Sequence, residues 1–240
     1  MKQLLKQLLS LLNLSVTRNQ KYDACTRKII QQTLTPRSNC IDIGCHKGEI
    51  LDLMIAGAPS GVKFAFEPIP ELHLQLVEKY KADKLVKIHD IALYDKQGTT
   101  SFQHVLNAPA YSGIKKRRYD DKNIEIAQIN VKTDLLDNII PADLKIDLIK
   151  IDVEGAEFHV MKGGKQTICR NKPVIIFEFG LGAADFYDSK PHELFNFLCS
   201  GCGMKISTLK CFIEKQPSLT ETEFKHMYEG GKEYYFVAHE

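Results

Sequence analysis

The side chains able to do chemistry stand at the ends of apolar runs. Asp42, Glu67, Asp90, Asp152 and Glu178 each close a short stretch rich in β-branched or aromatic residues, and Glu154 follows Asp152 by two positions. After Asp42 comes Gly44-Cys-His-Lys-Gly48. A pyrophosphate-binding loop uses G-x-G-x-x-G to press bare backbone against two phosphates at a helix N-terminus. This loop has two glycines separated by three residues, with an acid two positions before the first. It suits a ligand bearing an amino acid, whose ammonium approaches acidic and carbonyl groups. Glu67 is placed to accept hydrogen bonds from two adjacent ribose hydroxyls with its paired oxygens. Asp90, followed by Ile91, is placed for the exocyclic amine of adenine. Amino acid, ribose and adenine together describe S-adenosyl-L-methionine, with Asp42, Gly44, Gly48, Glu67, Asp90, Ile91 and Asp152 as its expected contacts.

Those positions require a scaffold that gathers strand ends along one edge. Residues 39–44, 62–67 and 85–91 read as buried strands, separated by helical stretches at 48–56 and 71–80. This alternation predicts a parallel α/β sheet, whose ligands bind beyond the carboxyl ends of the strands where the strand order reverses. Residues 99–104 and 124–131 break the rhythm as a β insertion with a long polar connection, which contains Tyr111, Ser112 and the basic run Lys115-Lys-Arg-Arg118. Alternation resumes with a strand at 146–152, a helix from Glu154 to about Ile168, and a strand at 173–179. A helix at 191–199 and strands at 204–209 and 233–239 complete the count. The expected architecture is a Rossmann-like, doubly wound seven-strand sheet with N-terminal helices and a β insertion before strand four.

Four stretches, IDIGCHKGE (41–49), AFEPIPE (65–71), IALYDKQG (91–98) and above all DLIKIDVEGAEFHVMKGG (147–164), resemble FkbM-type methyltransferases of the class I S-adenosylmethionine-dependent superfamily. The resemblance covers roughly residues 38–180. Cys45-His46 stands where many members carry Ala-Asn. The resemblance implies an antiparallel last strand and transfer of a methyl group to a hydroxyl of a glycan, glycolipid or secondary metabolite.

Methyl transfer from a sulfonium is an in-line displacement. The protein must align acceptor oxygen, methyl carbon and sulfur, and take the hydroxyl proton. Asp152, Glu154 and His46 are the candidate catalytic groups, the last because an imidazole titrates near neutrality. In the plainer reading Asp152 only orients the cofactor ammonium, while Glu154 or Glu157 only serves the next helix's N-terminus. Lys150 interrupts an apolar central strand, and a buried ammonium must be paired. It is expected on the face of Asp152, meeting a carboxylate of a neighbouring strand, Glu178 first and Asp42 second, and shaping the floor of the site. Tyr111 and Ser112 are candidate acceptor contacts. The run at 115–118 is either a lid for an anionic acceptor or a solvated loop. Asp152 with Glu178 resembles a divalent-cation pair, but no third ligand is evident, and no metal is expected.

The 240 residues carry 32 basic and 30 acidic side chains, a net charge of +2. Residues 1–37 hold seven basic groups against Asp23 alone, a balance of +6, which leaves −4 on the remainder. A uniformly basic nucleic-acid-binding surface is excluded. The division predicts an N-terminal helical extension, 1–37, and a methyltransferase domain, 38–240. Leu4, Leu5, Leu8, Leu11 and Leu12 form a helical stripe too interrupted for a signal peptide or membrane span. That stripe covers core or a homodimer partner, or lies on an anionic membrane surface through residues 1–16. The seven cysteines are odd in number and irregularly spaced, so they do not read as a secreted disulfide framework. A reducing, cytoplasmic setting fits, with the inner face of a membrane as the surface available to the helix. Cys199-Ser-Gly-Cys202 lacks the partners of a zinc site. Two other functions fit the fold: a non-catalytic S-adenosylmethionine-binding partner or sensor, and a nicotinamide dehydrogenase, which the glycine spacing disfavours.

Overall fold

The computed structural model describes residues 17–119 and 123–240. The leucine stripe, with its expected membrane or dimer contact, lies outside the described residues. Among the described residues ten strands form: β1 (Cys40–Ile43), β2 (Lys63–Phe66), β3 (Val86–His89), β4 (Ile91–Leu93), β5 (Gly98–Val105), β6 (Ile126–Asp134), β7 (Leu148–Ile151), β8 (Val174–Glu178), β9 (Lys205–Thr208) and β10 (Tyr235–His239). Seven make the main sheet in the order β3-β2-β1-β7-β8-β10-β9. All run parallel except β10, which is antiparallel to both neighbours. The strand order reverses between β1 and β7, which places the ligand crevice at their carboxyl ends. Both strands are buried throughout their length, as strands covered on two faces must be.

The two-residue period sorts the strands into two cores. Ile41, Ile43, Ile149, Ile151, Ile175, Phe177 and Phe236 pack against Phe158, Met161, Ile168, Leu194 and Phe224 from the helices on one side. Cys40, Leu148, Ile176 and Val237 face the other side, where Tyr22, Ile29, Ile30 and Met54 cover them. One step along that second face stand Asp42, Lys150, Glu178 and Tyr235. A polar row therefore borders the apolar one at the sheet's ligand-binding edge.

The covering helix, Arg18–Thr33, is part of the core although its sequence reads as an extension. Ile29 and Ile30 are buried completely, and Thr17 and Gln20 close a capping box at its start. Tyr22 donates to Glu233 at 2.5 Å, Arg18 reaches the carbonyls of Gly231 and Lys232, and Tyr234 meets Asn19. The N-terminal helix and the approach to β10 are clamped together.

Three local elements differ from expectation. The strand expected at 85–91 breaks at Asp90: β3 stays in the main sheet, while β4 joins a second sheet ordered β4-β6-β5. There Ala92, Phe102 and Val131 pack on Ile69 and Leu72. The helix expected from Glu154 begins at Glu157, ends at Gly163 and is followed by a second helix, Lys165–Asn171. The chain is crowded at that joint, where a Cβ on Gly163 would lie 2.1 Å from the Tyr94 carbonyl oxygen. The helix expected to reach Cys199 ends as Pro191–Asn196 and continues as a π turn, Phe197–Gly201. Cys169 and Cys202 form a disulfide, with Cα atoms 4.4 Å apart, that ties helix Lys165–Asn171 to the approach to β9. Cys199 is a free thiol.

Candidate active site

Gly44 follows β1 with φ +77°, and a Cβ there would lie 1.9 Å from the Asp152 carbonyl oxygen. Only glycine lets the ends of β1 and β7 approach so closely. Gly48, at φ +81°, is similarly enclosed by the Tyr80 hydroxyl, which donates to the Gly48 carbonyl at 3.1 Å and to Asp52 at 2.7 Å. The amides of Gly44 and Cys45 both donate to the Phe66 carbonyl at 3.1 Å. Glu67 closes the far side of the loop, its carboxylate accepting the His46 amide at 2.8 Å and the Ile69 amide at 3.0 Å. Burial pushes the Glu67 carboxyl up to about 7, against the pull of those two amides.

Two adjoining cavities open at this edge. One, of about 60 Å³, is walled by Ile43, Phe66, Ile91, Leu93 and Phe102, with Glu67 and Ser112 among its lining groups. The other, of about 210 Å³, is lined by Asp42, Cys45, His46, Glu49 and Lys150. Gly44, His46, Ala110, Asp152 and Glu154 border both. An apolar slot with a carboxylate thus continues into an acidic chamber. In the chamber's wall Asp42 is 2% exposed, and its Oδ2 has no hydrogen-bond partner among the described residues. Burial raises the Asp42 carboxyl to about 6 despite nearby Lys150.

At the shared border, Asp152 Oδ2 accepts the Lys150 ammonium at 2.8 Å and the Tyr235 hydroxyl at 2.5 Å. Burial opposes its charge, but the Lys150 ammonium, with donors from Lys150, Tyr235 and Glu178, holds Asp152 below the usual carboxylate range. Glu178 shows the opposite behaviour: burial and then the Asp152 charge push it up to about 8. Of the two, burial beside the Asp152 charge favours the proton on Glu178, and the Lys150 ammonium favours the charge on Asp152. Glu154, buried and at φ +60°, is ion-paired with Arg117 from the insertion. Asp152, Glu154 and Glu178 bring one oxygen each within 4.8 Å of one another. Lys150 and Arg117 counter that charge from within the chain.

Residues 42–206 match the model of the methyltransferase FkbM domain. The chain belongs to the FkbM methyltransferase family. A curated relative, the 2-O-methyltransferase NoeI of Sinorhizobium fredii, is 28% identical over 159 residues, covering 61% of this chain and 65% of that protein. The chain thus spans just under two thirds of this relative's length. Among solved structures, methyltransferase FkbM from Methylobacillus flagellatus KT aligns with TM-score 0.44 and 18% identity, covering 60% of this chain and 33% of that one. Precorrin-6y C5,15-methyltransferase from Geobacter metallireducens GS-15 aligns with TM-score 0.43 and 14% identity, covering 80% and 75%.

In this member of the FkbM methyltransferase family, Asp42, Gly44, His46, Glu67, Ile91, Lys150, Asp152 and Glu154 converge on the two cavities, with Glu178 beside Asp152. Asp90 does not converge. The strand breaks there, and its exposed carboxylate pairs with Lys132 of β6 at 2.8 Å, leaving Ile91 to line the cavity. Lys150 is buried as expected, but its partner is Asp152 on its own strand, not Glu178 or Asp42 across the sheet. Two residues of strand rise, about 6.6 Å, match the reach of a lysine side chain. Ser112 lines the apolar cavity, yet its hydroxyl is used to accept the Val105 amide at 2.9 Å. Tyr111 is exposed outside both cavities, with the Arg117 guanidinium 5.3 Å from its ring centre.

The basic run is neither a free lid nor a solvated loop throughout. The Lys115 amide donates to the Tyr187 hydroxyl at 2.7 Å, the Arg118 amide donates to the Gly182 carbonyl at 2.9 Å, and Arg117 turns inward to Glu154. Tyr235 and the individual role of Arg117 escape a reading that looks for the last residues of parallel strands. The antiparallel sense of β10 is the signal for Tyr235, because such a strand presents its first residue to the ligand edge.

Proposed function

We propose that this methyltransferase uses S-adenosyl-L-methionine and methylates a hydroxyl of a sugar-containing acceptor. The observation that carries the reading is the apolar slot with Glu67 running into the acidic chamber with Asp42. A nucleoside fits the first by its flat apolar base and ribose hydroxyls, and an ammonium fits the second, where a buried carboxylate oxygen lacks a partner. When bound, S-adenosylmethionine supplies a methyl group on a sulfonium, an electrophile that a hydroxyl oxygen can attack. Glu67 would accept the ribose hydroxyls, each carboxylate oxygen retaining a lone pair beside its amide bond. Asp42 would face the ammonium. Asp152 or Glu154, at the border of both cavities, would accept a hydrogen bond from the acceptor hydroxyl and take its proton as that oxygen bonds the methyl carbon, the carbon–sulfur bond breaking to leave the neutral thioether S-adenosylhomocysteine. The name of the relative NoeI supports oxygen as the accepting atom. His46 borders both cavities as a third group able to move a proton.

The test offers the protein S-adenosylhomocysteine and NAD in separate calorimetric titrations, then isotope-labelled S-adenosylmethionine with a panel of glycans. Micromolar binding of the first and transfer of label to a glycan oxygen are expected, with Asp152→Asn and Glu154→Gln each lowering kcat/KM by about 100-fold. Preferential NAD binding, or unchanged turnover in both variants, overturns the reading.

A further inference from the structure

Tyr235 lies beyond residues 42–206, where the family pattern ends. It opens β10, and because that strand is antiparallel its first residue sits at the edge where β7 and β8 finish, in register with Glu178. Its hydroxyl and the Lys150 ammonium both donate to Asp152 Oδ2, at 2.5 and 2.8 Å. The same ammonium lies 4.9 Å from the centre of the Tyr235 ring, and that ring packs against Tyr22 of helix Arg18–Thr33 at 5.0 Å. The phenol is thus gripped by the sheet and by the N-terminal helix before it touches Asp152.

We propose that Tyr235 is a positioning residue that, with Lys150, fixes the carboxylate plane of Asp152 toward the two cavities. The proposal rests on the methyltransferase reading of the Asp152 site. A carboxylate held by one donor can turn about its Cβ–Cγ bond, a broad, roughly two-fold torsion. Two donors converging on one oxygen from different strands select one setting, and with it the direction of the remaining lone pairs. Preorganisation of this kind is worth most where charge develops in a transition state. The charged and titratable groups around Asp152 come from every element packed on it: Lys150 of its own strand, Asp42 of β1, Glu178 of β8, Tyr235 of β10, Glu154 and Glu157 after β7, and Asp23 of the N-terminal helix.

Tyr235→Phe removes the hydroxyl while leaving the ring, its contact with Tyr22 and the ammonium beside it. Carbon-13 NMR of aspartate-labelled protein without ligand, with the Asp152 signal assigned by its loss in Asp152→Asn, should show the carboxyl titrating about one pH unit higher in Tyr235→Phe, a tenfold loss of acidity. In the holoenzyme, kcat should fall about tenfold, with KM for S-adenosylmethionine within twofold of wild type and the acid limb of the pH–rate profile displaced upward. The same spectra show whether the variant is folded. An unmoved Asp152 titration overturns the proposal, as does a variant with wild-type kcat and an unmoved acid limb. Should wild-type protein neither bind S-adenosylhomocysteine nor transfer methyl, the assignment of the site fails, and the titration by itself decides whether Tyr235 holds Asp152.

Discussion

Glu157 shows how one buried side chain can hold the turn that presents the candidate base Glu154. It is fully buried, and its Oε1 accepts the amides of Val153 and Gly155 at 3.0 and 3.1 Å. Those bonds span the turn that keeps Glu154 at φ +60°, a conformation rare outside glycine and worth about 1–3 kcal/mol of strain. Burial pushes the Glu157 carboxyl up to about 7, so near neutral pH its charge is largely dispensable. Glu157→Gln keeps an amide oxygen in place and should cost less than about 1 kcal/mol. Glu157→Leu strands two buried amides and should cost about 2–4 kcal/mol, with activity lost as Glu154 swings away. Urea unfolding of the two variants checks this; equal losses would refute the acceptor role. At this scale much of the site was legible from sequence, because strand ends, glycine spacing and carboxylates are all local signals. The strand expected at 85–91 runs through the break at Asp90 because nothing local distinguishes a strand that ends at residue 89 from one that runs two residues further. The charge on Arg117 was legible, but its inward turn to Glu154 depends on tertiary packing of the insertion.

Among the elements, the helix Arg18–Thr33 carries the most consequence. Its composition suggests an attachment, with its share of the basic N-terminal charge, yet its Ile29 and Ile30 lie at 0% and 1% exposure on Leu148, Ile176 and Val237. Ile29→Ala should therefore destabilise the protein by about 2–4 kcal/mol, read as a lower urea midpoint at unchanged m. An exposed attachment would show a change within about 0.5 kcal/mol, and that result would detach the helix from the core. The helix itself was visible in the sequence, but its docking was not, because amphipathic spacing marks an apolar face without naming its partner. The seven strands of the main sheet were legible as short apolar runs between helices. The second sheet was legible only as an insertion, since its pairing of β4 with β6 joins residues about 40 apart in the chain.

On the scale of the whole molecule, the ligand-binding edge concentrates acidic groups that folding removes from water. Asp42 stands at about 6, Glu67 and Glu157 at about 7 and Glu178 at about 8, against ordinary values of 3.8 for aspartate and 4.5 for glutamate. In each, burial is the leading cause. The folded chain therefore keeps protons that the unfolded chain releases, and this contribution to stability is complete below about pH 4 and lost as pH rises through about 8. Asp95 and Asp152, held below the ordinary value, act in the opposite sense, and their contribution fails only as pH falls below about 4. His89 and His239, lowered by burial, weaken the fold below about pH 6.5. The ligand-free protein should thus lose about 3 kcal/mol of stability between pH 6.5 and 8.0, a fall in Tm of about 6–12 °C for a chain of this size. Glu178→Gln, which removes the group with the highest value, should flatten that slope. A ligand carrying an ammonium favours the ionised carboxylates, so saturating S-adenosylhomocysteine should raise Tm more at pH 8.0 than at pH 6.5, and calorimetry should detect proton release on binding. A Tm that is level or rising from pH 6.5 to 8.0 without ligand would show that these carboxylates ionise freely in the folded protein. The acidic chamber would then be hydrated surface, and the electrostatic argument for a cationic cofactor would fall with it.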